Sequence, residues 1–405
     1  MRIRSLASAL AVVASIGLVG CGGDERTVTV YSSLPLQGKA KLRSEQMVAA
    51  MDLALEQADG KAGEFEVEHV SLDDSTAGAG TWTEAKTTEN ARRAADDPAA
   101  IAYIGEFNSP ASAISMPILN EAGLAQIGPS NTYVGLTTDA PGSMPGEPEK
   151  HFPTGERTYA RIVPIDTLQA AALARLMSED GCSSVYVAHD GESFGAGLSR
   201  NVAIAAGDVG LATAGGEGVE PRPAGYREVA TSAARAGSDC FLFSGVTANG
   251  AVPIYEAVAG ALPEARLYGS SGVCENAFAD PAEGGLAKAV GNRTMCTIAT
   301  LDLSRYPRGR QFLEDFEAAY GEDDPDPYAI FGYEAMSLAL DAIERAGDRG
   351  DVRAAVVEEL FATKDRESAI GTYSIDRNGD TTLSEFGAWR IRDGRLEFDR
   401  VIEAR

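Results

Sequence analysis

The sequence is poor in histidine, lysine and tryptophan. Its 405 residues hold three histidines, two tryptophans and seven lysines against 28 arginines. Acidic residues outnumber basic ones by 60 to 35, a formal net charge of −25. No basic footprint is therefore on offer to a nucleic acid or an anionic membrane surface. No pair of cysteines has CxxC spacing, so neither a zinc site nor a thioredoxin-like redox pair is indicated. The G-x-x-x-x-G-K-[ST] phosphate loop is missing as well. Nothing in the sequence calls for a cofactor. What remains is an ordinary globular balance, 44% hydrophobic and 23% charged, in a chain long enough for two domains.

The first residues stand apart. "MRIRSLASALAVVASIGLVGCGG" places Arg2 and Arg4 before an apolar run from Leu6 to Val19, then Gly20-Cys21. The run is short and alanine-rich for a membrane span and reads as a signal peptide over 1–20. "LVGC" resembles the bacterial lipobox, in which the cysteine becomes the lipidated first residue. Cys21 is thus expected to anchor the chain, with 21–26 as tether. Four cysteines then remain: Cys182, Cys240, Cys274 and Cys296. In an exported protein an even number suggests two disulfides, with three connectivities open.

Strand and helix signals alternate. "RTVTVYSSL" (26–34), "EFEVEHVSLDD" (64–74), 100–104 and "LAQIGPSNT" (124–132) read as strands, with helical patterns at 45–60 and 84–97. A Pro- and Gly-rich stretch at 137–158 reads as a long loop or lip. The alternation restarts with strands at 183–189, about 209–219, 240–244, 265–270 and 294–300. Helices fall at about 166–180, 193–208, 225–236 and 249–261. Strands separated by helices imply parallel sheets covered on both faces, here two doubly wound α/β, Rossmann-like lobes. The tail adds helices at 327–347 and 351–363, then a hairpin at 386–402 turning on Asp393-Gly394. No linker rich in Pro, Ser or Gly separates the lobes, so short repeated crossings would form a multi-strand hinge.

Three motifs carry chemistry. "GESFG" (191–195) matches the G-x-S-x-G elbow of hydrolases, with Ser193 as nucleophile. The expected order needs a histidine after the serine, and His69, His151 and His189 all precede it, so a helix-start turn is the better reading. "DRNGDTTLSEFG" (376–387) has calcium-loop residues at its first, third and fifth positions. Thr381 stands where glycine belongs and Gly387 where the bidentate glutamate belongs, so it reads as a polar turn without metal. In "IGEFNSPASAIS" (104–115), Ser109 has the N-cap residue type and Pro110 the favoured first helical position. A helix N-terminus offers free N–H groups and partial positive charge. Ser109 could meet the hydroxyls of Ser130 and Thr132 around one small carboxylate, at the edge where parallel strands end.

Taken together, "YSSLPLQG" (31–38), "YIGEFNSPASAISMPILNEAGLAQIGPSNT" (103–132), "VAHDGESFGAGLSR" (187–200), "LYGSSGV" (267–273), "DPYAIFGYEAMSLALDAI" (326–343) and "GTYSIDRNGDTTL" (371–383) give the chain a family look. It resembles the leucine/isoleucine/valine-binding family of substrate-binding proteins that serve ABC importers, with the type I periplasmic binding fold. The resemblance implies a binder rather than an enzyme, lipid-anchored outside the bacterial cell membrane, that delivers a small carboxylate solute to an ABC permease. A branched-chain amino acid is the solute implied first. A ligand-sensing receptor module is the alternative, since this fold also serves sensors. Ser109 matches the serine that takes the substrate carboxylate. Ser130, Asn131 and Thr132 match the segment that binds carboxylate and ammonium. Phe194 matches the aromatic residue that closes over the ligand, and Thr247 with Ala248 lies where another contact is common. Ser271 departs from the family, which commonly has an acid there facing the ligand ammonium. Glu275 or Glu106 would have to replace it, or the ligand lacks an ammonium group. The implied lobes are 27–160 plus 299–378 and 161–298 plus 379–405. With the strand order 2-1-3-4-5 in the second lobe, the expected disulfides are Cys182–Cys240 and Cys274–Cys296.

Overall fold

The computed structural model describes residues 26–404; the signal-peptide reading and Cys21 lie outside the described residues. The first lobe runs through β1 (Arg26–Leu34), α1 (Lys41–Gln57), β2 (Phe65–Asp73), α2 (Glu84–Asp96), β3 (Ala100–Gly105), α3 (Ser109–Glu121), β4 (Ala125–Gly128) and β5 (Tyr159–Arg161). Its strands lie in the order β2-β1-β3-β4-β5, all parallel, with residues 61–62 as an antiparallel edge. The second lobe repeats the plan. It contains α4 (Asp166–Glu179), β6 (Ser184–His189), α5 (Ser193–Asp208), β7 (Ala212–Gly218), α6 (Pro223–Ala236), β8 (Cys240–Ser244), α7 (Ala251–Ala261), β9 (Arg266–Gly269) and β10 (Thr294–Ile298). The order β7-β6-β8-β9-β10 is the same 2-1-3-4-5 winding. The chain then returns to the first lobe with α8 (Gly309–Tyr320), α9 (Ala329–Arg345) and α10 (Arg353–Phe361), and ends in the second lobe with β11 (Glu385–Arg392) and β12 (Arg395–Glu403). This final hairpin extends the second sheet antiparallel to β10. Asp393 and Gly394 both take positive φ, as a two-residue type I′ turn requires.

The central strands form where the sequence is continuously apolar, because parallel strands are covered on both faces. All six residues of β3 and all five of β8 are buried. Each fully buried isoleucine among them, such as Ile104, contributes about 1.5–3 kcal/mol relative to exposure. α9 lies along α1 at backbone distance. Gly332 makes this possible, since a Cβ there would strike the Met47 carbonyl.

Both disulfides lie in the second lobe. Cys182–Cys240 joins the entrances of the neighbouring strands β6 and β8, with Cα atoms 6.0 Å apart. Cys274–Cys296 joins the turn after β9 to β10 at 5.6 Å.

Two expectations need correction. The strand read over 124–132 stops at Gly128, and residues 129–132 leave the sheet towards the other lobe. The stretch 137–158 is not an outer lip throughout, for Glu147, His151 and Phe152 are buried. Burial alone would raise the Glu147 carboxyl. The nearby His151 ring, 3.5 Å away, and bonds from Lys150, Tyr133 and the Met144 N–H instead hold it down at about 2.

The chain crosses between lobes after β5, after β10 and ahead of β11. The first and last crossings are pinned together. The fully buried Arg161 guanidinium donates from Nε to Asp380 Oδ1 at 2.7 Å, and from its amino nitrogens to the carbonyls of Asn131 (3.0 Å) and Tyr133 (2.8 Å). In the "DRNGD" turn, Asp376 Oδ1 accepts the N–H groups of Asn378 and Asp380. Its carboxylates are spent on the turn and the hinge. Among the described residues no group of three or more His, Cys, Asp or Glu is arranged to hold a metal ion.

Candidate functional site

The carboxyl ends of both sheets face one another, and between them lies a narrow cavity of about 30 Å³. That is well below the roughly 300–1,000 Å³ of a solute site, so the lobes would have to part to take a solute. The first lobe contributes Phe107, Asn108, Ser109, Pro110, Ser130, Thr132 and Tyr328; the second contributes Glu192, Phe194, Val246, Ser271 and Gly272.

The first-lobe wall is a helix start joined to a loop. α3 begins at Ser109, so the capping position belongs to Asn108 and Pro110 falls at the second helical position. The N-cap expected at Ser109 is therefore one residue early. The shift leaves the Ser109 N–H in the first turn, beside a proline that has none to offer. The Ser109 hydroxyl accepts from the Tyr133 N–H at 3.4 Å, which ties α3 to the loop after β4. Ser130 Oγ donates to the Phe107 carbonyl at 2.8 Å. Thr132 reaches the cavity, while its carbonyl takes the N–H of Asp166 at the start of α4. Asn131, expected to contact the ligand, does not line the cavity. It is fully buried, with its amide on the Phe107 carbonyl and the Tyr159 hydroxyl and its own carbonyl under Arg161.

On the second-lobe wall, β6 ends at His189, Gly191 turns with φ 84°, and α5 starts at Ser193 with Glu192 at its cap position. Phe194 follows, only 6% exposed. Gly195 brings α5 close to β8, since a Cβ there would lie 2.6 Å from the Ser244 carbonyl and closer still to Asp190 Oδ1. Ser193 Oγ is buried without a hydrogen-bond partner, and His189 Nδ1 accepts the Gly191 N–H. No base activates the serine. Ser271 reaches the cavity while its hydroxyl donates to Gln169 Oε1 at 3.3 Å.

Thr247 and Ala248, the other second-lobe contacts expected, face a separate shallow hollow beside Lys39 and Gly80. Val246 takes the cavity position instead. The offset explains the slip: Phe107, Ser130, Val246 and Ser271 each stand two residues beyond the end of their strand. Counting two from each apolar run would have chosen Val246 over Thr247.

The acids proposed to replace the family's charge at Ser271 are also elsewhere. Glu275 is buried against Arg43, 3.9 Å away, and Glu106 lies under α3, accepting from the Tyr103 hydroxyl at 2.5 Å and from Ser115 at 3.1 Å. Neither lines the cavity. Burial pushes the Glu106 carboxyl up to about 7. The acid that does line it is Glu192, hidden in the sequence as a variable letter of "GESFG". Burial, with Asp190 beside it, pushes its carboxyl up to about 7.

Behind the floor, Arg43 stacks 5.1 Å from the Tyr328 ring and 5.9 Å from Phe107, which meet edge to face at 5.7 Å. Its guanidinium holds Asp326 at 2.8 Å and reaches across to the Cys274 carbonyl of the second lobe at 2.6 Å.

A family profile of periplasmic binding proteins matches residues 27–395. A Leu/Ile/Val-binding protein homologue of Brucella melitensis is 25% identical over 96% of this chain and 98% of its own. A leucine-binding protein from Thermotoga maritima superposes with a TM-score of 0.77 at 23% identity, covering 93% of this chain and 99% of that one. A solute-binding protein of an ABC transporter from R. palustris, solved in complex with benzoate, gives 0.74 at 17% identity, covering 93% and 96%.

Proposed function

The chain belongs to the periplasmic binding protein family, and from that premise we propose that it captures a small carboxylate solute between its lobes and delivers it to an ABC permease. Periplasmic binding proteins work outside the cytoplasm, and no helix among the described residues is long and apolar enough to cross a membrane. Lipidation at Cys21 would hold this one at the cell surface. A branched-chain amino acid is the solute favoured by the curated relatives. One observation carries the reading: the start of α3 and the hydroxyls of Ser109, Ser130 and Thr132 share one wall of the interlobe cavity. Free N–H groups and hydroxyls at a helix start suit a carboxylate without any formal cation. Closure by hinge motion would then present a liganded shape to the permease.

Calorimetry with leucine, isoleucine and valine tests it. Losing one hydrogen bond to a charged group costs about 1.5–3 kcal/mol. Ser109→Ala is expected to weaken binding roughly ten- to a hundredfold, and unchanged affinity would remove the clamp. Leucinamide binding as well as leucine would do the same. A second reading, an aromatic carboxylate such as benzoate, is favoured by the rings of Phe107, Phe194 and Tyr328 around the cavity.

A further inference from the structure

The wall that would hold the carboxylate carries no full charge. Its donors are the Ser109 and Thr132 hydroxyls, helix N–H groups and the Asn108 side chain, for the Ser130 proton goes to the Phe107 carbonyl. Among the described residues, the only lining residue besides the Tyr328 phenol that ionises is Glu192, on the opposite wall, and its charge once ionised is negative. A bare anion entering this cavity would meet a carboxylate and no cation. Such a site is unfavourable for a simple carboxylate and favourable for a solute that carries its own positive charge.

Glu192 is also incomplete without a partner. Its Oε2 is buried and makes no hydrogen bond within the described residues. A carboxylate oxygen withdrawn from water without a donor is costly unless the group takes up a proton or a ligand brings the donor. The turn that carries it is fixed. Asp190 accepts the Glu192 N–H at 3.2 Å, the Val246 N–H at 3.1 Å and the Asn249 amide at 2.9 Å. The side chain therefore leaves a braced loop, not a mobile one.

We infer that Glu192 receives the ammonium group of the solute, which makes the ligand a zwitterionic α-amino acid and moves the acid of the site from the end of β9 to the start of α5. This rests on the proposal that the cavity holds a small carboxylate, and narrows it. Two other acids nearby are committed: Glu275 is set against Arg43 and Glu106 is bonded to Tyr103 and Ser115. Asp166 also has unpartnered oxygens but lies fully buried beyond Thr132, outside the lining.

The test uses the folded, disulfide-bonded protein and the tightest of the common amino acids found by thermal shift, titrated beside its 2-oxo acid and benzoate. Wild type should bind the amino acid at least tenfold tighter than the oxo acid. Glu192→Gln, folded as wild type by circular dichroism, should lose roughly ten- to a hundredfold for the amino acid and lose nothing, or gain, for the oxo acid. Glu192→Asp should recover part of the loss. An unchanged preference in Glu192→Gln overturns the inference, as does a preference abolished by Asp166→Asn instead. A wild type that prefers the oxo acid or benzoate overturns it too, yet leaves the carboxylate reading standing. That reading fails separately, through amides that match acids.

Discussion

The two lobes share a winding but meet the cavity in opposite conditions. On the first wall the Ser109 hydroxyl takes the Tyr133 N–H and Ser130 donates to the Phe107 carbonyl. On the second, Ser271 is bonded to Gln169 but Glu192 Oε2 is buried with nothing to bond. If the cavity is the solute site, the first wall is set before the solute arrives and the second is finished by it. Preorganisation on one side keeps the entropy of binding low, and unmet demand on the other gives closure a reason to wait for the right ligand. The reinforcement differs in the same way. The first lobe relies on a buried ion pair at its exit, the second on two disulfides.

The largest expected effect comes from making the first lobe incomplete too. Asp380→Ala leaves the Arg161 guanidinium buried without its carboxylate, which costs about 3–5 kcal/mol. Urea denaturation should show a loss of that size, and a change under about 1 kcal/mol would mean that Arg161 is held by its carbonyls alone. Next is the covalent asymmetry. Replacing Cys182 and Cys240 together by serine reopens a loop with a sequence separation of 58, worth about 2–4 kcal/mol. Hydrogen exchange should then quicken in β6 and β8 and leave β1 and β3 as they were. Equal loosening of both sheets would show the lobes unfolding as one unit.

A third effect, spread over several groups, is a pH dependence of the empty protein. Burial pushes Glu106, Asp166 and Glu192 each up to about 7. Between their ordinary range near 4 and pH 7 the folded chain holds protons that the unfolded chain has released, so stability falls as pH rises through that window. Glu147, held at about 2, acts in the opposite sense below it: its contribution is present above pH 4.5 and lost as pH falls towards 2. Melting temperature should therefore peak near pH 5 and decline towards 7. A saturating amino acid, by pairing Glu192, should flatten part of the decline. The groups around Glu192 in this titration are Asp190 and His189 on its own turn, Asn249 after β8, and the Tyr328 phenol across the cavity. A monotonic rise from pH 4 to 7 would contradict the assignment.

Much of the fold was legible because it depends on local runs. β3 and β8 announce themselves as unbroken apolar stretches between glycines and helix patterns. The disulfide pairing followed once the strand order was assumed. The cleft was legible only as far as strand ends and the resemblance reach: Ser109, Ser130 and Thr132 were placed near it from their positions after strands, Phe194 and Ser271 from the family resemblance. Asn131 differs because Arg161 and Tyr159, distant in sequence, turn it inward. Thr247 differs by the single residue that separates a cavity-facing position from an outward one. Glu192 was illegible for another reason. A glutamate at a helix start looks like a cap, and only the burial of its oxygen opposite a cationless wall gives it a different meaning.

Arg43 gives the cleft a hinge-side grip that the solute never touches. Rooted in the first lobe by Asp326, it holds a carbonyl of the second through Cys274 and lies flat behind the rings of the cavity floor. Opening the lobes there has to break that hydrogen bond between them. Release becomes a matter of leverage: whatever prises Cys274 from Arg43 slackens the hold from behind, without competing for the space the solute fills.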